Sequence, residues 1–439
     1  MSKTFASMAV PNYRRYFAGT ILANTGQWMS RTAQSWLVLV VLTDHNASAL
    51  GWLMAAAFTP LLVITPWAGA LADKYPKRRI MVLAQIVMCV DAAILATLVL
   101  TGTVRLWHVF TLVAMDGTAT SFYNPAMQAF VSEIVPLSKL PNAISLNSAS
   151  FNGARILGPG VAGLLIAGIG TGWVMVINVA CFIGFIATLI MLRADQLHPS
   201  PPVQGKSSVR DGVKYVRVRF DLKVLLAIGF VMGTFGFNFN LSDSLMTTVG
   251  FGRGSGEYGL LGSIMGLGAI AAALGSARRK PRMRWVELAL VIYTVSMGLS
   301  AIAPNYFLFA LLKVPVGWGA VSTLIVANSM VQTSVSPQMR GRVMSLWSTL
   351  LLGGTPFVSP ALGWIGDQWG PRWTVGIPAI IIGLLFIGVT ATIMHNDSLK
   401  VRFDPHKKAP WLRIERGQVT VNYTPVSYTH LTLPTSDLV

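Results

Sequence analysis

The apolar residues of this chain fall in long continuous runs. Twelve stretches approach the roughly 20 residues that cross a bilayer as a helix. They lie at about 16–42, 49–70, 80–100, 106–128, 143–167, 172–192, 222–245, 256–276, 285–303, 306–331, 343–366 and 373–394. The fifth carries the most polar interruptions: Asn147, Ser148, Ser150, Asn152 and Arg155. The second and third are joined only by a tight basic turn holding Lys74, Lys77, Arg78 and Arg79. Asp73 closes the second span, where the helix dipole is negative, so its carboxylate is expected to find a partner outside its own helix.

Polar positions inside the runs are ordered. In the first span Asn24, Gln27, Arg31 and Gln34 recur at spacings that put them on one helical face. In the fourth, Asp116, Thr120 and Asn124 are four apart, and the seventh carries Thr234, Asn238 and Ser242, with Asp243 following. Lys313 stands alone in the tenth. A charge in lipid costs several kcal/mol, so such groups are expected to face a cavity or a partner. Arg31 and Asp116 both fall near mid-depth and are expected to pair in the unloaded state. Asp91 in the third span is expected to pair structurally with a neighbouring helix.

Composition agrees with a polytopic membrane protein: 53% of the 439 residues are hydrophobic and 11% charged. The net charge of +18 could suggest a nucleic-acid partner, but its distribution argues against one. With both termini cytosolic, 28 of the 34 Lys and Arg fall in inner segments. Arg105, Arg253 and Arg372 are outside, and Arg31, Arg155 and Lys313 lie within spans. That asymmetry fixes the expected orientation and explains the excess of cations. No cleavable signal is expected, because Asn12–Arg15 precedes a long span and not a short apolar segment. Cys89 and Cys181 each sit in an apolar run, which argues against a disulfide or metal framework. Neither H-E-x-x-H nor a phosphate-binding loop occurs, so the chain reads as no enzyme. No cofactor or metal is expected.

The chain repeats itself. At an offset of 200 residues Gly117 matches Gly317, and Ser145-Leu146 matches Ser345-Leu346. Gly153, Gly163, Gly170 and Trp173 match Gly353, Gly363, Gly370 and Trp373 at the same offset. The expected organisation is a six-helix half over 1–192, a cytosolic linker over 193–221, a second half over 222–394 and a cytosolic tail over 395–439. The codons of Val426–Leu431 can spell the end of a transposase-loaded sequencing adapter, so 426–439 reads as an artefact, with a native tail as the alternative.

The turn Gly69-Ala70-Leu71-Ala72-Asp73-Lys74-Tyr75-Pro76-Lys77-Arg78 resembles the signature loop of the major facilitator superfamily. Gly69, Leu71, Asp73, Lys77 and Arg78 match, and Pro76 replaces the turn glycine. Arg155-Ile156-Leu157-Gly158-Pro159-Gly160-Val161-Ala162-Gly163 resembles the glycine-proline motif of antiporters in that superfamily, and the whole is most similar to the branch of enterobactin and macrolide exporters. The resemblance implies an all-α fold of twelve transmembrane helices in two pseudo-symmetric six-helix bundles. It also implies a central cavity lined by the first, fourth, seventh and tenth spans. The arginine that some drug antiporters carry in the fourth span is replaced by Val113. The expected function is secondary active export of a small amphipathic molecule, a drug or siderophore, with a proton as coupling ion, in a bacterial inner membrane. The alternatives are an uncoupled facilitator or importer and, from another class, a transport-inactive sensor or scaffold.

Overall fold

The computed structural model describes residues 3–197, 209–277, 279–395, 412–415 and 418–421. Helix α1 (Pro11–Trp36) opens on a proline, whose fixed φ suits a first turn, and runs into a π-helical turn at Leu37–Leu42. Helices α2 (Ala47–Lys74), α3 (Lys77–Leu100), α4 (Leu106–Ile134), α5 (Leu140–Ile169) and α6 (Thr171–Ile190) complete the first six spans. The short α7 (Val209–Arg217) precedes the second six. The seventh span is α8 (Phe220–Phe235) and α9 (Phe239–Leu245), ending in a π-helical turn at Met246–Gly250. Then come α10 (Ser255–Ala277), α11 (Met283–Ala301) and α12 (Tyr306–Ser334). Helices α13 (Pro337–Gly353) and α14 (Thr355–Trp369) form the eleventh span, and α15 (Pro371–His395) the twelfth.

Two expected rods are broken. The seventh parts between Phe235 and Phe239, where the Tyr293 hydroxyl donates to the freed Gly236 carbonyl at 2.9 Å. The eleventh parts at Gly354. The fifth, with all its polar residues, is continuous. Among the described residues, eight helical segments are by themselves long and apolar enough to cross a membrane. The other spans are α1, α4 and α11, which carry polar positions, and the interrupted α13–α14. Large apolar side chains such as Trp67, Leu164 and Phe307 face outward, as lipid-facing residues do. Trp107, Trp173, Trp369 and Trp373 are exposed at the end away from the basic loops, where amphipathic rings favour a membrane interface.

Within the first half, α1 packs on α5 and α6, α2 on α4, and α3 on α4 and α6. In the second, α10 and α11 pack on α12, and α8 on α12 and α13. The halves meet through α5 on α10 and α2 on α14. One apolar core joins them at the end opposite the basic loops: Leu37, Leu50, Leu53 and Ile166 pack with Leu241, Leu245 and Leu362. At the basic end, Tyr13, Tyr16, Met81, Phe130 and Phe185 form a core confined to the first half. Helix α7 of the expected linker lies on α13, with Asp211 3.4 Å from Arg342. Arg219, just before α8, bonds Asp221 at 2.6 Å and the Ser334 carbonyl at 3.0 Å. The hydrogen bond to Asp221 raises the Arg219 pKa above its ordinary value and keeps the cation charged.

Residues 391–439 form a separate unit. Beyond α15 its described residues are β1 (Leu412–Glu415) and β2 (Gln418–Val421), antiparallel with Leu412 opposite Val421. The expected artefact at 426–439 lies outside the described residues.

Candidate transport site and gates

The internal repeat reappears as contacts. A methyl group built on Gly163 of α5 would collide with the Ser255 carbonyl, at the start of α10. One on Gly363 of α14 would lie 2.5 Å from the Ala47 carbonyl, at the start of α2. In return, Gly259 of α10 abuts the Pro159 carbonyl and Gly51 of α2 the Ser359 carbonyl. Inside each half, Gly117 rests on the Ala57 carbonyl and Gly317 on that of Met265. Small residues allow backbones this close, and membrane helices associate through such packing. Gly170 and Gly370 end their helices in matching left-handed conformations, at φ of 84° and 91°.

The α2–α14 contact has an additional, unsymmetric element. Three N–H groups at the start of α2 have no partner within the helix. Asn46 accepts from Ala49 N at 2.8 Å. Asp367 of α14 accepts from Ala47 N at 2.7 Å and Ser48 N at 2.9 Å. The carboxylate thus reaches across the halves to the positive end of a helix dipole. The corresponding position in the first half is Ala167.

The contacts fade towards the basic end. A methyl on Gly69, Gly153, Gly275 or Gly341 would meet nothing within 4 Å. Between the two ends lies a cavity of about 40 Å³ lined by Arg31 and Gln34 of α1, Ala57 and Phe58 of α2, Asp116 and Thr120 of α4, and Asn240 of α9. Arg31 stacks over Trp28 at 5.3 Å, and Arg155 of α5 lies over the same ring at 5.7 Å. Arg155 also lies 5.4 Å from the Phe237 ring, in the break of the seventh span. It lines a second cavity of about 20 Å³ with Asn152, Phe239, Met265 and Gly317. Two cations and one carboxylate therefore border the interface between halves, with aromatic faces holding the guanidinium groups.

A family model described as "Transmembrane secretion effector" matches residues 2–426. The chain belongs to this family of major facilitator transporters. It is 27% identical to the multidrug efflux pump Tap of Mycolicibacterium fortuitum over 390 residues, 85% of this chain and 93% of that one. It is 24% identical to the staphyloferrin A transporter of Staphylococcus aureus over 262 residues, covering 59% of this chain and 65% of that one. The fold is similar to the crystal structure of the nucleoside transporter NupG, with a TM-score of 0.67 at 13% identity, covering 88% of this chain and 100% of that one. The protein is a multi-pass membrane transporter and not an enzyme.

The other site residues expected of this major facilitator separate by position. Arg31, Gln34, Asp116 and Thr120 come together. Arg31 and Asp116 share the cavity, but among the described residues no direct ion pair joins them, contrary to the expected pairing. Asn24 is buried, its amide 3.3 Å from the Ser150 hydroxyl, while Gln27 and Asn124 are half-buried on their helices.

Asn238 and Lys313 depart from the expected cavity wall. Asn238 donates to the Thr234 carbonyl at 2.6 Å and accepts from Ser359 at 2.5 Å. Ser242 donates to the Thr374 carbonyl at 2.9 Å. Lys313 is fully buried and pairs with Asp243, beneath the Phe309 ring at 4.3 Å. These groups satisfy one another inside the second half, and a buried charge with a partner needs no cavity. Asn240, which the polar stripe missed, is what the seventh span presents to the cavity. Thr234, Asn238 and Ser242 keep one face across the break, but that face turns to Gly354, Ser359 and Thr374 at α14 and α15 and not to the cavity.

In the signature loop, Lys77 pairs with Glu133 of α4 at 2.9 Å. Arg78 donates to the Leu189 and Ile190 carbonyls at 2.8 and 2.7 Å, binding the negative end of α6. Leu71 is exposed. Asp73 is in α2, and its side chain lies outside the described ones. The glycine-proline motif has two faces: Gly158 abuts Trp28 of α1, while Gly160 and Gly163 abut α10.

Proposed function

We propose that this transporter is a proton-coupled exporter of a small amphipathic molecule of the drug or siderophore class. It works in a bacterial inner membrane with both termini cytosolic. The observation that carries the coupling is the cavity shared by Arg31 and Asp116 at the interface of the halves. A carboxylate there is costly to keep charged, and a nearby guanidinium makes that cost depend on what else occupies the cavity. The distribution of Lys and Arg supports the orientation. The names of Tap and the staphyloferrin A transporter support the substrate class.

With the basic end cytosolic, the packed α2–α14 and α5–α10 contacts close the outside and the parted end opens inward. Substrate enters from the cytosol or inner leaflet and competes with a proton for Asp116. The halves rock about the cavity, the α2–α14 contact opens, and substrate leaves outward. A proton then loads Asp116 and is carried back. Lipid contacts the outward-facing apolar surface, and no cofactor takes part.

The test is a substrate screen in proteoliposomes under an imposed pH gradient. Uptake that follows the gradient and collapses with a protonophore supports the reading. Equilibration without accumulation would make the protein an uncoupled facilitator, and no movement of any compound would favour a sensor.

A further inference from the structure

Asp91 was expected to have a structural partner, and among the described residues it has none. The side chain is 4% exposed in the middle of α3, and neither carboxyl oxygen has a hydrogen-bond partner. It faces a cavity of about 20 Å³, room for one water molecule. Asp116 of α4 lines the same cavity from the other side, so this cavity and the central one share a carboxyl group.

The surroundings state what Asp91 must be. From α1 come Ser30 and Gln34, from α4 Leu112 and Asp116, and from α6 Asn178 and Phe182. Helix α3 itself adds Met88, Ala92 and Leu95. The only other ionisable group in that lining is an acid, and Arg31 lines the central cavity that Asp116 also borders. An isolated ionised carboxylate is not tolerated in such a place and neutralises instead. The side-chain carbonyl oxygen of Asn178 is also without a donor. A carboxylic O–H on Asp91 would supply it through one water in that cavity.

We propose that Asp91 is a second proton-binding site, linked to Asp116 across this cavity, and that the two carboxyl groups share one proton. In the exchange the O–H bond on Asp91 breaks, its proton passes to the bridging water, and that water gives a proton to Asp116. The pair carries one negative charge before and after. Arg31 favours the form with Asp116 ionised and Asp91 protonated. A substrate that occupies the Arg31 side of the central cavity reverses the preference, the proton moves to Asp116, and it leaves from there to the cytosol as the substrate takes that carboxylate. This rests on the export reading for its purpose, but the site itself does not.

Infrared titration of the purified protein in lipid tests the site without any transported compound. At neutral pH the wild type should show the C=O band of a buried neutral carboxylic acid. Asp91→Asn should remove it, Asp91→Glu should shift it, and Asp116→Asn should leave it. In Arg31→Gln part of that intensity should pass to a second acid band, which Asp116→Asn then removes. A spectrum that Asp91→Asn and Asp91→Glu leave unchanged would overturn the site. An Arg31→Gln spectrum without a new band, or with one that leaves the Asp91 band at full strength, would overturn the sharing with Asp116. Failure of proton-driven export with these bands in place would refute the transport reading and leave the proton site standing.

Discussion

Asp367 accepts both the backbone N–H of Ser48, at 2.9 Å, and its hydroxyl, so the last turn of α14 holds the first turn of α2 across the two halves. A carboxylate near the C-terminus of its own helix is unfavourable, and the N-terminus of another resolves it. Asp367→Asn replaces one acceptor oxygen with a donor and removes the charge. Loss of a cap of this kind costs about 1 kcal/mol, roughly a fivefold change in a two-state population. The outward-open state should gain by that factor, read from spin-label distances between α2 and α14 at the outer end. Unchanged distances would show that the glycine contacts alone close the outside.

Asp73 should act in the opposite sense. It ends α2 at the basic end, and α13 begins on that side after Ser336. When that end closes, the α13 N-terminus offers Asp73 about half a positive charge. Asp73→Asn should therefore shift the population inward, seen as faster labelling of a cysteine placed at Gly153. Equal labelling rates would dismiss the clamp.

Asp116→Asn should abolish accumulation against a gradient and leave substrate binding independent of pH, since the shape is kept and the titration is lost. Continued concentration of substrate would move the coupling site elsewhere.

The two glycines of α5 should fail differently. Gly163→Leu drives a side chain into the Ser255 carbonyl, so it should block closure of the outer end while the protein still inserts and folds. Gly158→Leu strikes Trp28 within the first half, so it should lower the melting temperature as well as transport. Identical behaviour of the two would contradict the two-faced packing.

The Lys313–Asp243 pair should be a stability element. Lys313→Met alone leaves a buried unpaired carboxylate and should cost about 3–5 kcal/mol. Adding Asp243→Asn should recover most of that in thermal unfolding. A double variant as unstable as the single would mean the lysine is held by its aromatic neighbours instead.

The span pattern, the six-plus-six repeat and the family were legible in the sequence, because a bilayer demands long apolar helices and an ungapped repeat preserves its register. The stripe of α1 and the spacing in α4 group residues of which Arg31, Gln34, Asp116 and Thr120 line one cavity, since both helices run unbroken through those positions. Periodicity groups residues on a face but does not say where the face points: Thr234, Asn238 and Ser242 of the seventh span turn to α14 and α15, Lys313 of the tenth pairs with Asp243, and Asn240 lines the cavity. Nor does periodicity say which neighbour a residue meets. Asp367 belongs to no pattern in the sequence, and Asp91 reads there as a group with a structural partner on a neighbouring helix. Only the tertiary packing brought the start of α2 to the first and left the second without a cation, because those relations depend on how separate helices approach.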